Sequence, residues 1–207
     1  DNASTDATRD VVNDLRARIR STVRYFRFEQ DMRGVRNFMN VVEMAGAEYC
    51  WLVGSDDLVP PGAIARILLA LSQHPGVPAL SVNKLNFDRL LEEFLGPDHD
   101  LVLPSHPAQS RMLTGLGEIA HNLALGFTFM SGHVFQRHRW QAIVAELGFE
   151  GLRTFRHFPH TYIFLRIARD GGRWYWLADY CIIQRLDNFS ILEESGRLLS
   201  AYAEEVT

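Results

Sequence analysis

The chain predicts an α/β fold on a parallel, doubly wound sheet, and two observations lead there. From Asp1 to Asp88, amphipathic helical stripes alternate with short β-rich runs, the pattern of strands joined by crossover helices. Within that alternation the apolar, aromatic run Tyr49-Cys50-Trp51-Leu52-Val53 ends abruptly in Gly54-Ser55-Asp56-Asp57, with Pro60-Pro61-Gly62 close behind. A buried strand that stops at a turn bearing two carboxylates is the sort of place where open α/β sheets bind ligands.

The elements follow in order. Asp1 to Asp6 is a cluster of turn and N-cap residues that feeds a helix from about Asp6 to Arg20, with Val11, Val12, Leu15 and Ile19 on one face. Val23 to Phe28 alternates as a strand would. Val35, Phe38, Met39, Val42 and Ala45 form a helical stripe, leaving Arg36, Asn37 and Asn40 on other faces. After the Tyr49–Val53 strand, Ile64, Ile67, Leu68 and Leu71 mark a helix that stops near Pro75, and Ala79 to Asn83 reads as a strand. A sheet of this kind does not open with a helix that packs on nothing, so the reading expects a strand upstream of Asp1. Asn86 to Ser110, punctuated by Pro97, Pro104 and Pro107, predicts a long loop or junction. Beyond it come a helix through Leu116 and Leu123, a strand Phe127–Phe135 broken by Gly132, and a helix from Arg137 to Leu147. A helix opened by Pro159 and ended by Gly171-Gly172 follows, then strands at Trp174–Leu177 and Tyr180–Ile183, and an amphipathic helix from Ser190 to about Glu205.

Composition narrows the function. The 207 residues suffice for one domain with a full core. A net charge of -4 offers no basic face for nucleic acid, and no apolar run approaches the ~20 residues of a membrane span. Cys50 and Cys181 lie singly in strand-like runs and make no disulfide framework, so a reducing, cytoplasmic setting is expected. Asp56 and Asp57 repel each other unless a positive charge sits between them, and a divalent cation with a phosphate-bearing substrate answers that need. The plainer alternative is a cap on the helix that Pro61 opens.

Several stretches, taken together, resemble the family 2 glycosyltransferases. Asp1-Asn2-Ala3-Ser4-Thr5-Asp6-Ala7-Thr8 is similar to the family's D-N/D-x-S-x-D-x-T segment. Gly34-Val35-Arg36-Asn37 with Ala45-Gly46-Ala47-Glu48-Tyr49 resembles its G-x-x-x-N…A-x-G-x-Y run. Gly54 to Gly62 resembles the metal-binding D-x-D segment and the helix start after it. His160 to Ile167 is similar to the helix that usually begins Glu-Asp, and Arg185 with Asn188-Phe189-Ser190 to the closing R-x-x-N-x-S. The G-S-D-D form and Ser131 to Phe135 look like the branch containing deoxyhexosyl transferases of O-antigen assembly.

The resemblance implies a GT-A (Rossmann-like) sheet and an inverting transfer of sugar from a nucleotide-diphosphate donor to a hydroxyl of a glycan or lipid-linked acceptor. It also implies assistance by Mg2+ or Mn2+. Residues 1–88 would hold the nucleotide sugar and 89–207 the acceptor. Asp57 is expected to ligate the metal, with Asp56 on the ribose or as a second ligand. Asp1 and Asn2, at a neighbouring strand end, would face the nucleoside with Asn37, and Arg36 and Arg185 would meet phosphate, unless either is simply a solvated charge.

Two departures bear on the mechanism. Gly54 stands where the family has its first acid, leaving two carboxylates for a cation that one or two can hold with donor phosphates. Pro159-His160 replaces the acidic pair, so His160 becomes the candidate base, its ordinary pKa being suited to the work. His157 is the alternative base, and a zinc site on the two histidines lacks further ligands. Trp174, Tyr175 and Trp176 suit either a sugar face or the core. The terminal helix could meet a membrane surface near a lipid-linked acceptor at the inner face of the plasma membrane, yet Glu193, Glu194, Glu204 and Glu205 favour protein packing. A non-catalytic nucleotide-sugar-binding relative and a sugar nucleotidyltransferase remain the rival readings.

Overall fold

The computed structural model describes residues 1–96, 106–154 and 158–186. Its helices are α1 (Thr8–Arg18), α2 (Arg33–Met44), α3 (Ala63–Gln73), α4 (Leu116–Leu123), α5 (Arg137–Arg153) and α6 (Pro159–Gly171). Its strands are β1 (Tyr49–Trp51), β2 (Ala79–Phe87), β3 (Phe94–Gly96), β4 (Arg111–Thr114), β5 (His133–Gln136) and β6 (Arg173–Arg185). The order across the sheet is β1-β5-β2-β6-β4, with β3 also on β2.

The sheet is mixed, which corrects the parallel expectation. β2 and β6 run parallel, whereas β1–β5, β2–β5, β2–β3 and β4–β6 are antiparallel. Helix–strand alternation holds through β2, but β5 then enters between β1 and β2 in the reverse sense, and local periodicity carries no information on strand direction.

Alternation along the strands sorts side chains to two faces. On one, Ala79, Phe135, Trp174 and Trp176 pack with Met39 and Val42 of α2, Trp140 of α5 and Ile163 and Phe164 of α6. On the other, Leu80, Val82, Val134 and Leu177 pack beneath Ala63, Ile67 and Ala70 of α3. Trp174 and Trp176 are core residues, with their ring N–H groups donated to Ser81 Oγ at 2.8 Å and Pro107 O at 2.7 Å. The sugar-stacking alternative therefore falls away for both.

His133 completes the first core. Its Nε2 donates to Gly126 O at 2.9 Å, so its Nδ1 accepts from Ser81 Oγ at 2.7 Å, and burial pushes the ring down to about 3.

Four local expectations change. Val23–Phe28 is extended but forms no strand: among the described residues its backbone-to-backbone bonds go to Asp1, at Asp1 N to Phe26 O (2.8 Å) and Phe28 N to Asp1 O (3.0 Å). Residues 127–132 are not strand but two 3-10 turns, Gly126–Thr128 and Met130–Gly132, and only His133 onward joins the sheet. The predicted 86–110 loop contains β3, and β4 follows it at once. The two predicted C-terminal strands are one, β6, irregular in register opposite Val82, Asn83 and Lys84. His157, Asn188 to Ser190 and the terminal helix lie outside the described residues.

Candidate functional site

The acid pair sits on a short loop held at both ends. Asp57 N donates back to Gly54 O at 3.2 Å, closing a turn at Ser55-Asp56. Gly54 N donates to Ser131 Oγ at 2.8 Å, and Ser131 Oγ donates in turn to Asp57 Oδ2 at 2.5 Å. Trp51 Nε1 grips Ser131 O at 2.7 Å. Past the acids, Leu58 and Ile183 exchange two backbone hydrogen bonds of 2.9 and 2.8 Å, which fastens the loop to β6.

Burial is the main force on Asp57. It pushes the carboxyl up to about 6, with Asp56 adding to the rise, while the Ser131 hydroxyl, the Arg185 backbone N–H and the Lys84 charge pull the other way. A half-buried carboxyl raised this far is poised to gain from a cation.

Gly54 makes room for both acids. A Cβ there would lie 2.7 Å from Asp56 Oδ1 and 3.0 Å from Asp57 Oδ2, so both carboxylates lean over the space a side chain would fill. They converge on one point beside the strand end, and this suits a hard cation that takes its remaining ligands from donor phosphates and water. No group of three or more His, Cys, Asp or Glu side chains that could hold a metal ion occurs among the described residues. Gly54→Ala should spread the two carboxylates and weaken Mn2+-dependent thermal stabilisation, with little loss of stability in EDTA; unchanged Mn2+ titration would show that their convergence is immaterial.

His160 lies at the second position of α6, 6 % exposed. Its ring stands edge-on to Phe38, Phe158 and Phe164, with centroids 5.9, 5.8 and 6.0 Å away. A carbonyl can only accept, so Nε2 carries the proton it donates to Thr128 O at 3.0 Å. Nδ1 then holds the lone pair, buried and without a hydrogen-bond partner among the described residues. Burial lowers the ring's pKa and keeps it neutral. Thr161 Oγ1 adds a bond to Phe127 O at 3.2 Å. The turn segment thus carries His160 at Thr128 and the acid loop at Ser131, three residues apart, at most about 10 Å of extended chain.

The other expected residues fall into separate groups. Asp1, its side chain 3 % exposed, accepts from Ser4 N at 2.8 Å and from Tyr25 Oη, and Arg27 Nε lies 3.5 Å from it. The Asp1 nitrogen is 3.4 Å from Asn37 Oδ1. Asn2 clasps the entry to α2, bonding Asp31 and receiving Met32 N at 2.8 Å. Successive residues of α2 fan outward as a helix requires: Arg36 lies 5.0 Å over the Phe149 ring of α5, Asn37 faces Asp1, and Phe38 faces His160. A cavity of about 420 Å³ between the extended run and α2 is lined by Asp1, Tyr25, Phe26, Asn40 and Met44, and by neither member of the acid pair. Arg185 joins the acid group through its backbone, and its buried Nε has no hydrogen-bond partner among the described residues.

Sequence reasoning missed two members of the acid group. Ser131 lies 77 residues from Gly54, and the Ser131 to Phe135 resemblance marked the stretch without giving this hydroxyl a role. Lys84 is a buried lysine, 7 % exposed, in the second half of β2, where buried and half-buried residues alternate.

Comparison with known proteins bears on all of this. The family model for glycosyl transferase family 2 matches residues 1–88. Abequosyltransferase RfbV of Salmonella typhimurium (strain LT2) is 24% identical over 206 residues, which are 95% of this chain and 59% of that protein. Among solved structures, the crystal structure of S. aureus TarS 1-349 superposes with a TM-score of 0.68 at 14% identity, covering 89% of this chain and 49% of that one. A second TarS crystal structure gives 0.67 at 13%, covering 90% and 30%. The chain therefore spans less than two thirds of the length of each of these proteins. The TarS likeness shows the fold, and the family match spans the acid pair and β2. Residues 1–88 are thus similar to glycosyl transferase family 2, and the chain has the GT-A fold.

Proposed function

We propose that this chain is the donor-binding and transfer portion of an inverting glycosyltransferase that acts in cell-surface polysaccharide assembly. One observation carries the reading: two carboxylates converge over Gly54, on a loop tied by Ser131 to the turn that also holds His160. Asp57, with Asp56, would hold Mg2+ or Mn2+. Bound there, the ion supplies positive charge to the departing diphosphate. Residues 1–88 take the nucleotide sugar, with Asp1 and Asn37 toward the nucleoside and Asn2 holding their loop. Arg185 is the better placed phosphate partner, since Arg36 lies over Phe149. Residues 89–207 face a glycan or lipid-linked acceptor. Its hydroxyl oxygen attacks the anomeric carbon as His160 Nδ1 takes the proton, and the bond to the diphosphate breaks on the opposite face, inverting the centre. The name of the Salmonella relative supports a deoxyhexose as the sugar moved. None of the described helices is long and apolar enough to cross a membrane, and a cytoplasmic site of action, with peripheral contact to the membrane where the acceptor is lipid-linked, fits the reading.

The test is thermal denaturation of the full-length protein with UDP, GDP, CDP or dTDP, with and without Mn2+. Stabilisation by one diphosphate, enhanced by the ion, is expected. If none of the four raises the melting temperature under either condition, the reading fails.

A further inference from the structure

The two partners of the Ser131 hydroxyl constrain each other. A hydroxyl offers one proton and two lone pairs. The Gly54 N–H, 2.8 Å from Ser131 Oγ, is a donor and takes a lone pair. The proton is then left for Asp57 Oδ2 at 2.5 Å, where the carboxylate accepts it. A backbone amide at the end of the β1 run thus turns the hydroxyl toward the acid.

The residue that carries this hydroxyl is fixed from several sides. Trp51, the last residue of β1, donates its ring N–H to Ser131 O at 2.7 Å. Gly132 N bonds back to Phe129 O at 3.1 Å and closes the turn. Then β5 begins at His133, and its Val134 pairs with Trp51 across the ladder. Ser131 is therefore buried and mounted on the β1–β5 pair. The turn bond from Asp57 N to Gly54 O holds backbone alone, and χ1 of an aspartate has three staggered positions open to it. The Ser131 hydroxyl and the Arg185 backbone N–H choose among them. A Cβ on Gly54 would stand 3.5 Å from Ser131 Oγ, so the hydroxyl borders the same space into which both acids lean.

Resting on the donor-site reading above, we propose that Ser131 is a positioning residue of that site, its hydroxyl selecting the Asp57 rotamer that meets Asp56. Ser131 acts through Asp57, on the side of the carboxylate that the protein holds. With the hydroxyl gone, Asp57 regains its other rotamers, and an arriving ion must first restore the useful one. Groups placed one hydrogen bond behind a metal ligand govern metal affinity by about ten- to a hundredfold.

The experiment titrates Mn2+ into the full-length protein, S131A, D57A and the double variant. Each is held with an excess of whichever of UDP, GDP, CDP and dTDP it binds, and bound Mn2+ is followed by electron paramagnetic resonance. S131A should raise the Mn2+ dissociation constant by about tenfold or more. In the D57A background the same change should add nothing, because no carboxylate is left to aim. A loss of general structure would weaken both backgrounds by the same factor, and that result overturns the proposal. An S131A protein with the unmutated constant overturns it too. S131C is the second variant should S131A fold poorly: it fills the same space with a weak donor, so it should also weaken Mn2+, and an unmutated constant there is equally fatal. A protein that binds none of the four diphosphates, or binds one without taking up Mn2+, fails at the donor-site reading itself, a different outcome from one that takes up the ion without help from Ser131.

Discussion

Asp57→Asn should abolish sugar transfer, by about 10²–10³-fold or more as for loss of a group that stabilises developing charge, while making the ion-free protein more heat-stable. The folded carboxyl titrates near 6 against an ordinary value of 3.8. Between those values the folded chain holds more protons than the unfolded one, so this group's effect on stability worsens as pH rises through the window. Above pH 6 the full cost is present, and asparagine removes it. The melting temperature of Asp57→Asn should exceed that of the parent at pH 7.5 and converge with it near pH 4. His133 imposes the opposite slope, because a ring lowered to about 3 loses stability as pH falls below 6.5. That slope is common to both proteins and cancels in their difference. Mn2+ should stabilise the parent at pH 7.5, do so less at pH 5, where Asp57 is protonated, and leave the variant unmoved. Equal melting temperatures of parent and variant across this range would refute the burial argument.

His160→Gln should cost transfer about 10²–10⁴-fold, the range for a lost general base, with nucleoside diphosphate binding retained. Glutamine keeps an N–H for Thr128 O but offers no lone pair of comparable basicity where Nδ1 stands. His160→Ala loses both, so the two variants separate anchoring from chemistry. Comparable transfer by the glutamine variant and its parent would place the base elsewhere. The acid limb of the parent's kcat/KM profile should lie below 6.5, since burial among three phenyl rings lowers the imidazole.

What could be read from residue order alone follows from the reach of each interaction. The Val35, Phe38, Met39 and Val42 stripe, the Tyr49 strand and the Pro159 helix are set by neighbours within a few positions, and all three are present. Val23–Phe28 has the alternation of a strand, but a strand also needs partners, and its pairing with Asp1 is too short to make one. Phe127 and Phe129 alternate in the same way, yet Gly126, Ser131 and Gly132 let the chain turn, and the payoff is Ser131 reaching the acid loop. The acid pair was legible because both members are adjacent. Ser131 and Lys84 were not, since they enter the site through contacts with residues tens of positions away. Strand direction was hidden for the same reason.

The Leu58–Ile183 pairing has a consequence for how such an enzyme accommodates its substrates. The carboxylates ride on backbone stitched into the sheet at one end and pinned by a hydroxyl at the other. Backbone held in this manner does not flap open to admit a larger sugar. On the proposed reading, tolerance for different donors would come from side-chain rotation, and the two carboxylates would keep their places throughout.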